Sequence, residues 1–511
     1  MQTSFVRRSC RFAILPIPPL LLLSSALLAT SSVAATLDVA IDSSPAGLDP
    51  HLITAFNSVV IVQDTIYEGL TSIEKDLSVA PGLASAWEIS DDGLDYTFKL
   101  PTGVTFHDGS TLDADDVASS IRRVQNEDIG SPLASRVSPI TTIEVLDPAT
   151  VKLSLDAPFA AILSSLSGIA IVPAEFEDDK EALQQRPVGT GPFRFAEWQP
   201  NSHIDLARFD DYRTRGLPTI EGLRIHFVPE SATRQVGIAS GEYDLLPGID
   251  PATALQLQGS PGVTVQETRD VAYTLLGMNT ARAPLDDARV RTAIQMLLDR
   301  QEIIDGALFG AGVPAGPLSP ALATWALDTG EYTCYGRDVD GAKALLKEAG
   351  VDLPLALDLL VLPRQDAKDI AQVIQQQLAA ADIELTLMNK EIGEFVQDWR
   401  NSEFDLFVSA NGGSPDPDEY FYRTFRSGGS TNVFQYADAE IDGWLDDGRI
   451  ATDTTARKAI YDDVQRKLAC EGPIAHIAYS NLATAVNDSV EGFEILSTGR
   501  LASLVGVTMN E

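Results

Sequence analysis

Strand-like and helix-like hydrophobic patterns follow one another along most of this chain, and their succession limits the fold more than any single motif does. Leu94, Tyr96, Phe98 and Leu100 alternate with polar residues as a half-buried strand requires. Val104 and Phe106 resume the alternation after Pro101-Thr102-Gly103, which predicts a hairpin. His107-Asp108-Gly109 then turns the chain, and Asp113 is placed to cap a helix whose Val117, Ile121 and Val124 share one face. A second hairpin is expected to pair Ile143 and Val145 with Val151, Leu153 and Leu155 across Asp147-Pro148-Ala149-Thr150. Further on, Val290, Ile294, Leu297 and Leu298 form a helical stripe, and Lys343 to Ala349 read as a short helix closed by Gly350. Ile370, Val373, Ile374 and Leu378 mark a helix ahead of an alternating strand through Ile383, Leu385 and Leu387, and Phe404 to Val408 reads as another strand. Strand, helix and strand in succession predict a mixed α/β fold.

The first 35 residues stand apart from this pattern. Arg7, Arg8 and Arg11 precede an apolar run from Phe12 to Ala29, and small residues ending in Val33-Ala34-Ala35 follow it. This is the layout of a cleaved secretory signal, with the mature chain beginning near Thr36. Pro16, Pro18 and Pro19 interrupt the run, which argues against a membrane anchor. Ser9-Cys10-Arg11 lacks the apolar pair of a twin-arginine signal, and Cys10 lies ahead of the apolar run, where a lipidated cysteine would follow it. The expectation is a soluble protein in the periplasm of a double-membraned bacterium. About 476 residues then remain, more than one hydrophobic core usually organises, so two or three domains are expected.

Losing the signal removes three arginines and no acid, which takes the formal charge from −36 to −39. So acidic a body repels nucleic acid and anionic lipid, and neither is expected as a partner. Its ordinary role is solubility. Cys334 and Cys470 are the two remaining cysteines, an even count in an oxidising compartment, which predicts a structural disulfide. Closing so long a loop contributes about 5 kcal/mol in the chain-entropy model. Neither cysteine belongs to a close CxxC or CxxH pair, and no cofactor or metal is expected.

Leu48-Asp49-Pro50, Gly103-Val104-Thr105-Phe106-His107-Asp108-Gly109, Pro415-Asp416-Pro417-Asp418 and the blocks between them together resemble one family, the extracellular solute-binding proteins of peptide, nickel and related ABC importers, called family 5. Leu48-Asp49-Pro50, Ile66-Tyr67-Glu68-Gly69-Leu70 and Ala80-Pro81-Gly82-Leu83-Ala84-Ser85-Ala86-Trp87 are similar to its N-terminal signature. Asp91-Asp92-Gly93, Gly103 to Gly109 and Ala114-Asp115-Asp116-Val117 continue it. Val188-Gly189-Thr190-Gly191-Pro192-Phe193, Met278-Asn279-Thr280, Val290-Arg291-Thr292-Ala293-Ile294 and Pro415-Asp416-Pro417-Asp418 resemble later blocks, so the likeness spans the mature chain. It implies a two-lobed periplasmic binding protein of the Venus-flytrap kind, α/β, with an extra domain inserted in the first lobe. The implied division is 36–66, 187–278 and 482–511 for the first domain, 67–186 for the inserted one and 279–481 for the opposite lobe. Hinges at two chain crossings, near 278 and 481, would let ligand close the lobes, since only the closed state makes both sets of contacts.

Other motifs have plainer readings. Gly189-Thr190-Gly191 is followed by Pro192 and lacks both phosphate-loop patterns, so a tight turn is expected. His107 reads as a structural hydrogen-bonding residue, and Gly428-Gly429-Ser430 lacks the spacing of a nucleophile elbow.

Ligand choice is expected to lie in Asn411 to Arg426, where a strand runs into Gly412-Gly413-Ser414-Pro415-Asp416-Pro417-Asp418 and then Tyr420. Asp416 and Asp418 read either as turn and cap residues or as acids facing the cleft. In peptide-binding relatives an aspartate three positions before the acid of that turn pairs with the ligand's ammonium; Gly413 stands there in this chain. The resemblance also maps ligand contacts onto Thr54, Ala55, Phe56 and Asn57, and places Arg364 near a carboxylate-binding arginine.

The function that follows is capture of a peptide-like or other small polar solute by a monomer and delivery to the membrane subunits of an ABC permease. The rivals are a secreted hydrolase and a receptor for a membrane sensor. A hydrolase needs a nucleophile, base and oxyanion site or a metal, and no motif supplies them.

Overall fold

The computed structural model describes residues 36–510. The expected export signal, with Cys10 and the cleavage region, lies outside the described residues.

Two long strands organise the fold. Val263–Met278 runs for 16 residues and Ile474–Asn487 for 14, where about 5 or 6 is typical. They pair antiparallel from Val263 opposite Asn487 to Gly277 opposite Ile474, with a register shift between Arg269 and Tyr273. Among the described residues an eleven-stranded sheet grows outward from this pair, with the short strand Gly312–Val313 paired to Ile474–Asn487 beside the main path. On one side come Leu245–Ile249, Thr36–Ile41, Gly222–Phe227, His203–Arg208 and Phe193–Gln199. On the other come Leu406–Asn411, Leu355–Val361 and Ile383–Asn389, the last two parallel and connected through the helix Gln365–Ala379. That helix buries Ile370, Ile374 and Leu378, the stripe its sequence spacing predicts.

The two long strands run from one core into others. Before the shift, Val263, Ala483 and Ala485 pack with Ile238, Leu246 and Leu257. After it, Leu276, Met278, Ala475 and Ile477 pack with Ile294, Ile374 and Leu406. Tyr273, Leu275 and Tyr479 enter an aromatic core with Phe407, Phe421 and Phe425. The largest core, built from residues between Leu37 and Leu245 and from the C-terminal segment, carries an antiparallel four-stranded sheet in the order Ala86–Ile89, Asp95–Lys99, Thr150–Leu155, Ile140–Asp147.

Local signals account for much of this. Asp113 accepts the amide of Asp115 at 2.9 Å while Asp116 accepts the amide of Asp113 at 2.9 Å, a reciprocal cap on the helix Ala114–Gln125. The hairpin across Asp147-Pro148-Ala149-Thr150 pairs Val145 with Val151 and Ile143 with Leu153. The hairpin expected from Leu94–Leu100 into Val104–Phe106 does not form. Asp95–Lys99 is paired on both edges, by Ala86–Ile89 and Thr150–Leu155. Gly103, at φ 82°, carries the chain away, and Thr105 bridges only Thr111. Val104 and Phe106 are apolar because they enter the same core as Tyr96 and Phe98, not because they pair with that strand. The helix over 343–349 begins earlier, at Val339, because Asp338 caps it. The last strand is shifted to Leu406–Asn411.

Cys334 and Cys470 are joined by a disulfide across a sequence separation of 136, tying a loop to the helix Thr454–Glu471. Protein exported to the periplasm should show no free thiol when titrated in denaturant without reductant, and reduction should lower stability by at most about 5 kcal/mol. Two titratable thiols in the exported protein would overturn the pairing.

Candidate functional site

A cavity of about 550 Å³ lies between the largest core and the aromatic core. Pro50, Ile53, Thr54, Gln63, Arg136 and Ser164 line one wall; Val271, Trp399, the segment Asn411 to Pro415, Glu419 and Arg423 line the other. Contacts beside the cavity join the walls directly. Ser165 donates to Glu419 at 3.1 Å, and the amide of Ala160 donates to the carbonyl of Arg449 at 3.0 Å. The Arg449 guanidinium lies 4.6 Å from the ring of Phe159 and 3.8 Å from that of Tyr422.

Of the residues the sequence proposes for the ligand, Thr54, Asn411 and Gly413 line this cavity. Ala55 sits at the cap of the helix Phe56–Val62 and does not line it; Phe56 begins that helix, and its side chain lies outside the described residues. Asn57 donates to Ser43 at 2.6 Å and faces a smaller neighbouring cavity of about 180 Å³. Arg364 is exposed and bonds to Asp366 two residues on, at 3.0 Å through its Nε, away from the cavity.

Of the two readings of Asp416 and Asp418, Asp416 takes that of the cap, and the assignments of Asp416, Asp418 and Tyr420 to the ligand are corrected. Asp416 caps the helix Pro417–Phe425 through the amide of Asp418 at 2.8 Å. Both of its oxygens also accept from Arg457, at 2.6 and 2.7 Å, in a buried bidentate pair. Asp418 is fully buried, 3.4 Å from Arg449. Burial, partly opposed by Arg449, pushes its carboxyl up to about 7. Tyr420 is buried too, its hydroxyl 2.8 Å from His476 Nε2 and its ring against Tyr273. These three hold the helix to the aromatic core, and neither acid is free to meet a ligand cation.

Gly413 has a steric reason to be glycine. A Cβ there would lie 2.0 Å from the carbonyl oxygen of Val271, on the long strand at its register shift. No aspartate fits without moving that strand. Gly189 and Gly191 are likewise tight, since a Cβ would lie 2.1 Å from the Ile66 carbonyl oxygen or 2.5 Å from that of Thr65, which makes this turn a close backbone crossing. His107 bonds the Gly191 carbonyl at 2.9 Å, and burial lowers its pKa to about 4.

The charged residues that do face the cavity are Arg136, Glu419, Arg423 and Arg500. Sequence reasoning missed all four. Glu419 and Arg423 stand four apart on the helix after the Pro415-Asp416-Pro417-Asp418 turn, a spacing that puts them on one face and was legible. Arg136, in a four-residue helix, carries no local signal. Glu419 accepts from Ser165 through one oxygen and from Ser414 through the other. Arg500 pairs with Asp64 at 2.6 Å, and its Nε has no partner among the described residues.

A cleft between cores joined through two long crossing strands, lined by a few polar groups on apolar walls, is the arrangement of a protein that encloses a small solute. The family model described as "Bacterial extracellular solute-binding proteins, family 5 Middle" matches residues 78–432. The chain belongs to that family. The dipeptide-binding protein of Escherichia coli (strain K12) is 28% identical, over 92% of this chain and 94% of the relative. The glutathione-binding protein GsiB of Pectobacterium atrosepticum is 27% identical, over 90% of this chain and 91% of the relative. The structure of HbpA2 from Haemophilus parasuis superposes with a TM-score of 0.82 at 26% identity, covering 93% of this chain and 100% of that one. The relatives are named as binding proteins rather than enzymes.

Two outcomes follow from this geometry. Gly413→Asp should lower the melting temperature and gain no affinity for dipeptides in calorimetry; a stably folded variant with new dipeptide affinity would overturn the steric account. Because folding raises the Asp418 pKa, the stability it contributes is complete below about pH 4 and is lost as pH rises through about 7. The melting temperature of Asp418→Asn, relative to the parent, should therefore climb between pH 4 and pH 8. A difference independent of pH would show that Asp418 ionises normally.

Proposed function

We propose that this chain is the periplasmic, monomeric substrate-binding component of an ABC importer, which encloses a peptide-like or other small polar solute and presents it to the membrane permease. The cavity of about 550 Å³, walled by two different cores, is the observation that carries this reading. The two lobes divide along the long strands, near Arg269 to Tyr273 on one and Tyr479 to Asn481 on the other, with the insertion over 67–186 widening the first lobe. Bending at that break separates the walls without unpairing either half of the sheet. Family membership supports the role, and the relatives' different ligands leave the solute to be chosen by the side chains in the cavity.

A solute held by both walls stabilises the closed state alone. At a hundredfold excess over its dissociation constant it adds about 2.7 kcal/mol to unfolding stability. A thermal-shift screen of the mature protein against peptides, amino-acid derivatives, carboxylates and sugars should give hits, and X-ray scattering should show compaction with each hit. Silence across all classes, with nothing released from the purified protein on unfolding, would rule out solute capture.

A further inference from the structure

We propose that the cavity selects a solute with at least two anionic groups and no free amino cation, gripped between Arg136 on one wall and Arg423 on the other. This rests on the solute-binding reading above and specifies the ligand class.

Charge in the cavity runs opposite to charge in the chain. The whole sequence has 37 Lys and Arg against 73 Asp and Glu, whereas three arginines, one of them paired with Asp64, and one glutamate line the cavity. Arg136 and Arg423 have no ion-pair partner among the described residues; the only side-chain bond of Arg423 there is a 3.3 Å contact to the Gly412 carbonyl. They project from different cores, since Arg136 sits between Leu133 and Val137 of the largest core and Arg423 between Phe421 and Phe425 of the aromatic one. They therefore face the cavity from opposite walls with no acid among the described residues to neutralise them, and an anion between them supplies that partner. Planar guanidinium groups fit carboxylates or phosphates in paired hydrogen bonds.

The acids offer little to a ligand cation. Asp416 is held by Arg457, Asp418 is buried beside Arg449, and Gly413 excludes the side chain that would pair with an ammonium. Glu419 already accepts from two serine hydroxyls. Ile53, Leu133, Val271 and Trp399 supply apolar surface between the charged points, so the anionic groups belong on a partly apolar body.

Calorimetry on the mature protein tests this with N-acetyl-Glu-Glu and citrate as carboxylates, phosphoglycerate as a phosphate, Ala-Ala and Leu-Leu as zwitterions, and raffinose as a neutral solute. Binding is expected among the anions, the carboxylate or the phosphate arm showing which headgroup fits. Arg136→Ala and Arg423→Ala should each weaken it at least tenfold, with Arg423→Lys recovering part. Both side chains are exposed, so melting temperatures should stay near the parent's. Submicromolar binding of the zwitterions or raffinose, unaffected by either substitution, would overturn anion selection and leave solute capture standing. If no probe binds, mass spectrometry of any compound released on unfolding decides: a polyanion supports the proposal, a neutral or cationic compound overturns it, and nothing released overturns solute capture as well.

Discussion

The antiparallel pairing of Val263–Met278 with Ile474–Asn487 is the constraint on which the rest of the molecule depends. Each strand begins in one core and ends in another, so the relation between the cores is set at the few residues where the register shifts. Side chains knit that break. Arg269 donates to Asn481 at 2.5 Å, Asn481 donates to Glu267 at 2.8 Å, and Ser319 donates to the Asp270 carbonyl at 2.6 Å. Val271, between them, also lines the cavity and touches Gly413. Under the proposed function, bending at this break would move the cavity wall with it, because Val271 belongs to both, and occupancy would be coupled to lobe position without any longer relay.

Contacts far from the break indicate a closed cleft. Leu77, at the tip of the turn between Thr71–Ile73 and Val79–Pro81, has φ 65° and is nonetheless buried in the aromatic core. A left-handed leucine is uncommon and costs on the order of 1 kcal/mol or more, so packing across the cleft must offset it. Ser165 with Glu419 and Ala160 with Arg449 are polar contacts of the same kind. Each is small, and together they hold the walls on either side of the cavity in contact.

Much of the fold was legible because its signals are local. The reciprocal cap at Asp113, the hairpin across Asp147-Pro148-Ala149-Thr150 and the stripe through Ile370, Ile374 and Leu378 all depend on residues within about a turn or two of each other. The site was less legible because its chemistry is decided by distant partners. Nothing near Asp416 announces Arg457, 41 positions on, and nothing near Asp418 announces Arg449. Gly413 could be seen to depart from the family pattern, yet only the Val271 carbonyl beside it explains why a side chain is excluded. Phe106 shows the same limit within the fold: alternation identifies a residue bound for the core, not the strand beside which it packs.

The acidity of the chain and the arginines of its cavity act at different ranges. A formal charge of −36 repels an approaching anion, but at physiological salt that repulsion fades over a Debye length of about 8 Å. Inside the cleft the nearest charges decide, and there the arginines outnumber the single, hydroxyl-bound glutamate. Apolar walls such as Ile53, Leu133 and Trp399 lower the dielectric beside these arginines and strengthen the local attraction. The acidic surface then keeps polyanions too large to enter, nucleic acid among them, away from a basic pocket that would otherwise attract them. On this view the surface charge does more than keep the protein soluble, because it confines attraction for anions to those small enough to enter the cleft.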